Sequence, residues 1–466
     1  MIVCLIQELE KEQGCVLIMG KTITFFKEIA RIPRESGNEA NIAEYLCEFA
    51  RKRNLEYQKD KYNNVLIKKQ TIDKESLILQ AHTDMVCVSN RDFDFQKEGI
   101  EVIEKDGYLQ ANGTTLGADN GIGVAQILNI LDSDIPVNIE AVFTTSEETT
   151  MVGAQNFDIK QLKGKYLLNL DGFDEDMIIC ASAAYYDLVM DKDKDMMKSS
   201  YSHSYKVKLG GLPGGHSGYD LDKNRGNAII MLAEFLQSIN AEIVSFNGGT
   251  KNNVFPTQAE AVINIEDDAR IKLKDAFINK YQDAFPNLTL SIEKVQSHDT
   301  VMMNSNKYLE FIINFPSKGL DYNEQHEVTT SLNLGAINDI HLEIGMRSSI
   351  KEEALEALEM LKNYGKDYGF NLNVIGYQPG FYSDKSSLLI QNLIAVCPYQ
   401  EKALAKSLHI TVEAGFFQEK RPDLDIAIIA PDIKDAHSIN ERVSIKSIEM
   451  TDKWLEEFLK KFYGES

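Results

Sequence analysis

Five residues in this sequence carry side chains that bind divalent metal ions and stand where such groups would converge: His82, Asp119, Glu148, Asp171 and His437. Four of them follow short apolar runs. Leu77-Ile78-Leu79 precedes His82, Ala141-Val142-Phe143 precedes Glu147-Glu148, Tyr166-Leu167-Leu168 precedes Asp171, and Ile426-Ala427-Ile428-Ile429 precedes His437. Runs of this kind read as buried, mostly parallel strands. In an open α/β sheet, sites form beyond the carboxyl ends of the strands. Asp119 sits instead in the Gly-rich turn Leu116-Gly117-Ala118-Asp119-Asn120-Gly121, which opens a predicted helix over 122–131. Five metal-capable groups from five segments would then meet at one rim. Polar residues often follow strands, so position alone leaves unrelated surface groups as the alternative.

The neighbours of these residues point to hydrolysis. In His82-Thr83-Asp84 a carboxylate stands two residues from an imidazole, where it can orient a neighbouring ligand. Ser146-Glu147-Glu148 supplies adjacent carboxylates that can divide their work. One binds metal, and the other, pointing away from the ion, takes a proton from water. An exposed Glu-Glu pair is ordinarily a solvated surface; here it follows a buried strand and precedes a Gly-containing turn. Imidazole and carboxylate ligands without thiolate suit zinc, with manganese or cobalt able to substitute.

The elements that must position these groups are legible in outline. Ile23, Phe26, Ile29 and Ala30 make one helical stripe, ended by Pro33, and Ile42, Tyr45, Leu46, Phe49 and Ala50 make another. The middle of the chain changes period. Tyr205, Val207 and Leu209 alternate with lysines, Ala259 to Ile265 alternates with polar residues, and Leu342, Ile344 and Met346 alternate with Glu343 and Arg347. Period-two alternation predicts sheets with one covered and one open face, with helices near 225–239, 268–282 and 351–367 to cover them. The fold expected is therefore α/β: a mixed, mostly parallel sheet with flanking helices, formed by 1–187 and 381–466. An α+β lid is expected over 188–380. No internal repeat is evident.

At these residues the chain resembles the co-catalytic zinc dipeptidases and aminoacylases. The resemblance rests on His82-Thr83-Asp84-Met85-Val86, Gly117-Ala118-Asp119-Asn120-Gly121, Ser146-Glu147-Glu148, Gly214-Gly215-His216-Ser217-Gly218 and Asp435-Ala436-His437-Ser438. Within that superfamily, Leu79-Gln80-Ala81-His82, Thr329 to Gly335 and Glu413-Ala414-Gly415-Phe416-Phe417 look most like the bacterial aminoacyl-histidine dipeptidases.

The resemblance implies that Asp119 bridges two metal ions, with His82 and Asp171 completing one site and Glu148 and His437 the other. It implies Glu147 as general base acting on a metal-bridging hydroxide, Asp84 as the orienter of His82, and a cis peptide between Asp119 and Asn120. His216, Asn253, Arg347 and Gly415 would contact substrate. In relatives the matching histidine stabilises the developing oxyanion, and in several dimers it reaches the partner's site. Charge agrees: two divalent ions, three ligand carboxylates and one hydroxide sum to zero. Two departures bear on substrate preference: Gly172-Phe173 follows Asp171 where relatives carry a small hydroxyl and an acid, and Ala414 replaces a common cysteine.

Composition excludes several classes. A net charge of −22 over 466 residues argues against a nucleic-acid partner and against anionic membrane surfaces. No apolar run approaches the roughly 20 residues that span a bilayer. Met1 to Gly20 lacks the basic start of a secretory signal. Six scattered cysteines read as reduced thiols of a cytoplasmic protein. His203, His298, His326 and His341 read as surface or structural histidines, and His409 as one that could approach the site. The function expected is a di-metal hydrolase of small unblocked peptides, Xaa-His dipeptides first, acting as a homodimer through the lid. An N-acyl amino-acid amidohydrolase or tripeptidase with the same metals is the nearest alternative, and a catalytically silent binding protein the remote one.

Overall fold

The computed structural model describes residues 21–324, 326–399 and 404–464. The first twenty residues, with Cys4 and Cys15, lie outside them. The chain forms two compact units: unit 1 runs to Ser182 and takes up Phe381–Ser407 and Val412–Ser466, and unit 2 comprises Ala183–Gly380 and Leu408–Thr411.

Unit 1 is built on a nine-stranded mixed sheet. Its four central strands, Asn138–Thr144, Leu77–His82, Tyr166–Asn169 and Asp425–Ile428, run parallel. On the flanks, Glu56–Lys59 with Val65–Gln70, Val65–Gln70 with Asn138–Thr144, Asp425–Ile428 with Met177–Ser182, and Met177–Ser182 with Phe381–Tyr382 pair antiparallel. On one flank the cause is a tight connection: Asp60 accepts hydrogen bonds from the amides of Tyr62 and Asn64, folding Glu56–Lys59 back on Val65–Gln70. Every residue of Leu77–His82 is buried, as a strand covered on both faces requires. Helix Ala118–Asp132 is buried almost throughout, and its first residues, Asp119 and Asn120, depart from helical dihedrals. The carboxyl ends of the strands are level: His82 pairs with Thr144, and Gln80 with Asn169.

A separate four-stranded sheet fixes the C-terminal segment. Ile433–Lys434 and Arg442–Ser444 pair, and Arg442–Ser444 also pairs with Tyr108–Gln110. The loop carrying His437 and Glu441 is thereby tied to the strand that leads into the Asp119 turn. The sequence reading does not contain this sheet, because strands of two or three residues leave no periodicity to detect.

Unit 2 is a nine-stranded antiparallel sheet made of two topologically alike halves. His203–Gly210, Glu242–Gly249, Ala259–Ile265 and Thr289–Lys294 form one, with helices Ala228–Ser238 and Leu273–Tyr281 in its two crossovers. Ala184–Asp191, Val328–Asn338, His341–Ser348 and Asn371–Gln378 form the other, with helix Lys351–Asp367 before the last strand. Glu242–Gly249 and Val328–Asn338 join the halves edge to edge. The alternating residues face inward as expected, with Leu342, Ile344 and Met346 wholly buried.

Candidate metal centre

In unit 1 the five proposed ligands come together around Asp119. One oxygen of its carboxylate lies 3.1 Å from His82 Nε2, and the other lies 3.0 Å from His437 Nε2. Asp171 Oδ1 stands 3.7 Å from His82 Nε2, and Glu148 Oε1 stands 3.0 Å from His437 Nε2. Among the described residues the metal-capable atoms fall into three overlapping groups: His82, Asp119 and Asp171; Asp119, Glu148 and His437, which shares Asp119 with the first; and His82, Glu147 and Glu148. The Asp119–Asn120 peptide is cis. The groups differ in access, since the His82 side chain is 1 % exposed and that of His437 46 %.

The electrostatics suit cations. Burial alone would lower the pKa of each imidazole, but surrounding carboxylates outweigh it. Asp171, Asp119 and Asp84 hold His82 well above its ordinary value, and Asp119 and Glu148 raise His437 to about 11. Burial also opposes ionisation of Asp119, yet the two imidazoles hold it below the usual carboxylate range. Positive charge is favoured at both positions, with carboxylate oxygens 3.4 Å from His82 Nδ1 and 3.0 Å from His437 Nε2. Nitrogen and oxygen donors in the two groups that share Asp119 fit two divalent ions.

Several residues the sequence reading did not single out hold the centre together. Glu441 accepts hydrogen bonds from the backbone amides of Leu116, Gly117, Ala118 and Asp119, clamping the turn that carries Asp119. Arg34, 1 % exposed, donates to the carbonyls of Thr83, Asp84 and Gly117, joining the His82 and Asp119 segments. Gly117 has φ +70°, and a Cβ there would lie 2.4 Å from the Arg34 guanidinium. Glu39 accepts from the amide and hydroxyl of Ser146, fixing the start of the Glu-Glu segment. An isolated Arg or Glu carries no local signal of such work; only the fold brings it in.

Asp84 has a broader place than orienting His82. Its Oδ1 lies 3.4 Å from His82 Nδ1, and its carboxylate also accepts from the amides of Glu147 and Glu148 and from Ser36 Oγ. Burial, then Asp171, Glu413 and Glu148, push the Glu147 carboxyl well above its usual range even against the pull of His82. Ser146, Asp435 and His437 all adopt positive φ, at 56°, 52° and 61°. The ligand-bearing turns therefore hold conformations that non-glycine residues adopt rarely, as functional sites often do.

The sequence profile of peptidase family M20/M25/M40 matches residues 78–461. The chain belongs to this family. It is 29 % identical over 455 residues to the cytosol non-specific dipeptidase of Escherichia coli (strain K12), covering 91 % of this chain and 93 % of that one. Its fold matches the crystal structure of aminoacylhistidine dipeptidase from Vibrio alginolyticus with a TM-score of 0.82 and 28 % identity, over 95 % of this chain and 96 % of that one. Human carnosine dipeptidase 1 shares the fold at 12 % identity and a TM-score of 0.51, over 96 % and 98 % of the two chains. As a member of this family the protein is a peptide-bond hydrolase.

Unit 2 carries a second polar cluster. Arg347 is 4 % exposed, although the sequence leaves a solvated strand arginine as the alternative. Its guanidinium lies 4.7 Å over the Tyr185 ring, and it donates to Thr411 Oγ1. Its Nη2 lies 3.0 Å from His216 Nε2. His216 Nδ1 accepts from the amides of Gly218 and Tyr219, so the ring proton belongs on Nε2. Two donors therefore face each other, an arrangement that an anionic oxygen shared between them relieves.

Burial, then the charge of Arg347, lowers His216 to about 4, which keeps it neutral. Asn253 lies on the segment that zips to the His216 loop: its carbonyl accepts from Ser217, and its side-chain oxygen is buried without a partner. His409 belongs to this cluster, 2.7 Å from Ser331 Oγ, and burial followed by Arg347 and His216 lowers it to about 3. Gly415 lies in unit 1, buried in helix Ala414–Lys420.

Proposed function

We propose that this protein is a cytoplasmic metallo-dipeptidase that cleaves small unblocked peptides, Xaa-His dipeptides foremost, with two divalent ions, zinc by preference. The observation that carries the reading is Asp119, whose two oxygens each face the imidazole of a separate ligand group. His82 and Asp171 would complete one metal site, Glu148 and His437 the other. When bound, such a pair of ions polarises the scissile carbonyl and acidifies the attacking water. Glu147 takes that water's proton and passes it to the departing amine, and Asp84 holds Glu147 and Glu148 by their amides.

Arg347 and His216 would read anionic oxygens of the substrate. A buried guanidinium with no carboxylate partner among the described residues of its unit would be completed by the peptide's C-terminal carboxylate, gripped through parallel N–H donors. With Arg347 Nη2 3.0 Å from His216 Nε2, the two residues would serve the same substrate. Arg347→Ala is expected to lower kcat/KM on free-acid dipeptides by about 10²-fold or more, and on their amides far less. Equal small losses on both would mark Arg347 as structural. Asn253 and Gly415 complete the proposed contacts. Homodimerisation through unit 2 is supported by its edge strand Asn371–Gln378, where Val374, Ile375 and Tyr377 are exposed.

A hydrolysis panel of dipeptides, tripeptides and N-acyl amino acids tests the reading. Dipeptides with a free amine are expected to be cleaved best. Preference for N-acyl amino acids would establish the amidohydrolase alternative instead.

A further inference from the structure

We propose that Glu413 binds the free α-ammonium group of the substrate's first residue, and that this subsite separates unblocked dipeptides from N-acyl amino acids. The inference rests on the dipeptidase reading above. Glu413 is 0 % exposed, yet only half of its carboxylate is occupied. Oε1 accepts from Thr144 Oγ1 at 2.7 Å and from Gln80 Nε2. Gln80 Oε1 in turn accepts from Asn169 Nδ2. These three side chains lie on three adjacent parallel strands, Thr144 paired with His82 and Asn169 paired with Gln80. The carboxylate is therefore held rigidly at the ends of the strands that present the metal ligands. Oε2 is buried and has no hydrogen-bond partner.

Burial raises the Glu413 carboxyl to about 7, and a buried carboxylate oxygen without a partner is costly until a proton or a cation completes it. No lysine or arginine among the described residues forms an ion pair with Glu413. The other acidic groups of the pocket are already engaged. Asp119, Glu148 and Asp171 face the imidazoles, and Asp84 accepts from the amides of Glu147 and Glu148. Glu441 clamps the Asp119 turn, and Glu147 is the proposed base. Glu413 is fixed at one oxygen and free at the other. The chemistry of the substrate supplies the cation in the right place. In an unblocked dipeptide the α-ammonium is two bonds from the scissile carbonyl carbon, so whatever reads it must stand beside the metal ligands. An N-acyl group has no charge there and would leave Oε2 unpaired against an apolar or amide surface.

The test compares Ala-His with propionyl-His, which differ only by the amine, in the metal-loaded wild type and in Glu413→Gln. The glutamine preserves size and one acceptor while removing the charge. The expected result is a loss of about 100-fold or more in kcat/KM on Ala-His, a change of less than about threefold on propionyl-His, and unchanged metal content by elemental analysis. Glu413→Asp, which keeps the charge but withdraws it by one methylene, is expected to recover part of the Ala-His activity. Equal losses on both compounds, or an unaffected Ala-His rate, would overturn the assignment. If Glu413→Gln does not fold, Glu413→Asp decides alone, through a loss confined to Ala-His or shared by both. A wild type that prefers propionyl-His would instead overturn the dipeptidase reading itself, and this subsite with it.

Discussion

Glu147→Gln is expected to lose turnover by about 10²–10⁴-fold while retaining both metal ions, because an amide cannot accept the water's proton. The neighbouring substitution should behave differently. Glu148 Oε1 lies 3.0 Å from His437 Nε2 within the second ligand group, so Glu148→Gln should weaken metal binding before it affects chemistry. Both backbones are fixed by Asp84, which accepts from the two amides, so neither change need disturb the turn. Turnover and metal content measured on both variants separate the roles. Identical metal loss in the two would show that the division of labour is misassigned.

Removal of metal is expected to have the other large effect. Chelation should abolish activity and zinc should restore it, since the proposed ligands must be deprotonated and convergent to bind. The carboxylates of Asp119, Glu148 and Asp171 crowd two imidazoles within a few ångströms, and without divalent ions the neutralising charge there is a proton on each ring. Chelation should therefore also lower the melting temperature, as loss of any ligand specific to the native state does. Activity that survives exhaustive chelation would count against metal catalysis altogether.

Much of this site is legible in the sequence because its parts are local. His82, Glu148 and Asp171 follow strands whose apolar runs are unbroken, and buried parallel strands leave just that trace. The Asp119 turn announces itself by its glycines, and Gly117 does adopt positive φ. What escapes is non-local. Glu441 reaches the Asp119 turn across more than three hundred residues, and Arg34 joins two segments far downstream of it. No spacing rule connects such pairs.

The two halves of unit 2 are equally hidden. They share strand order, while their sequences show no repeat. Strand alternation is visible in each half, but which edges join depends on three register pairs around Gly248 and Ile337. Arg347 illustrates the same limit. Its place opposite the apolar residues of its strand reads as solvent-facing, yet it is buried over Tyr185, its partner in register on the neighbouring strand. A polar face is exposed only if nothing else in the fold covers it.

The proposed chemistry depends on two metal ions sharing Asp119 in each chain. Its most direct test is elemental analysis of the purified protein during stepwise reloading with zinc, with dipeptide hydrolysis followed at each step. Full activity should coincide with two ions per chain, and Asp119→Asn should fail to retain either. A fully active preparation containing no divalent metal, or full activity at one ion per chain, would contradict it.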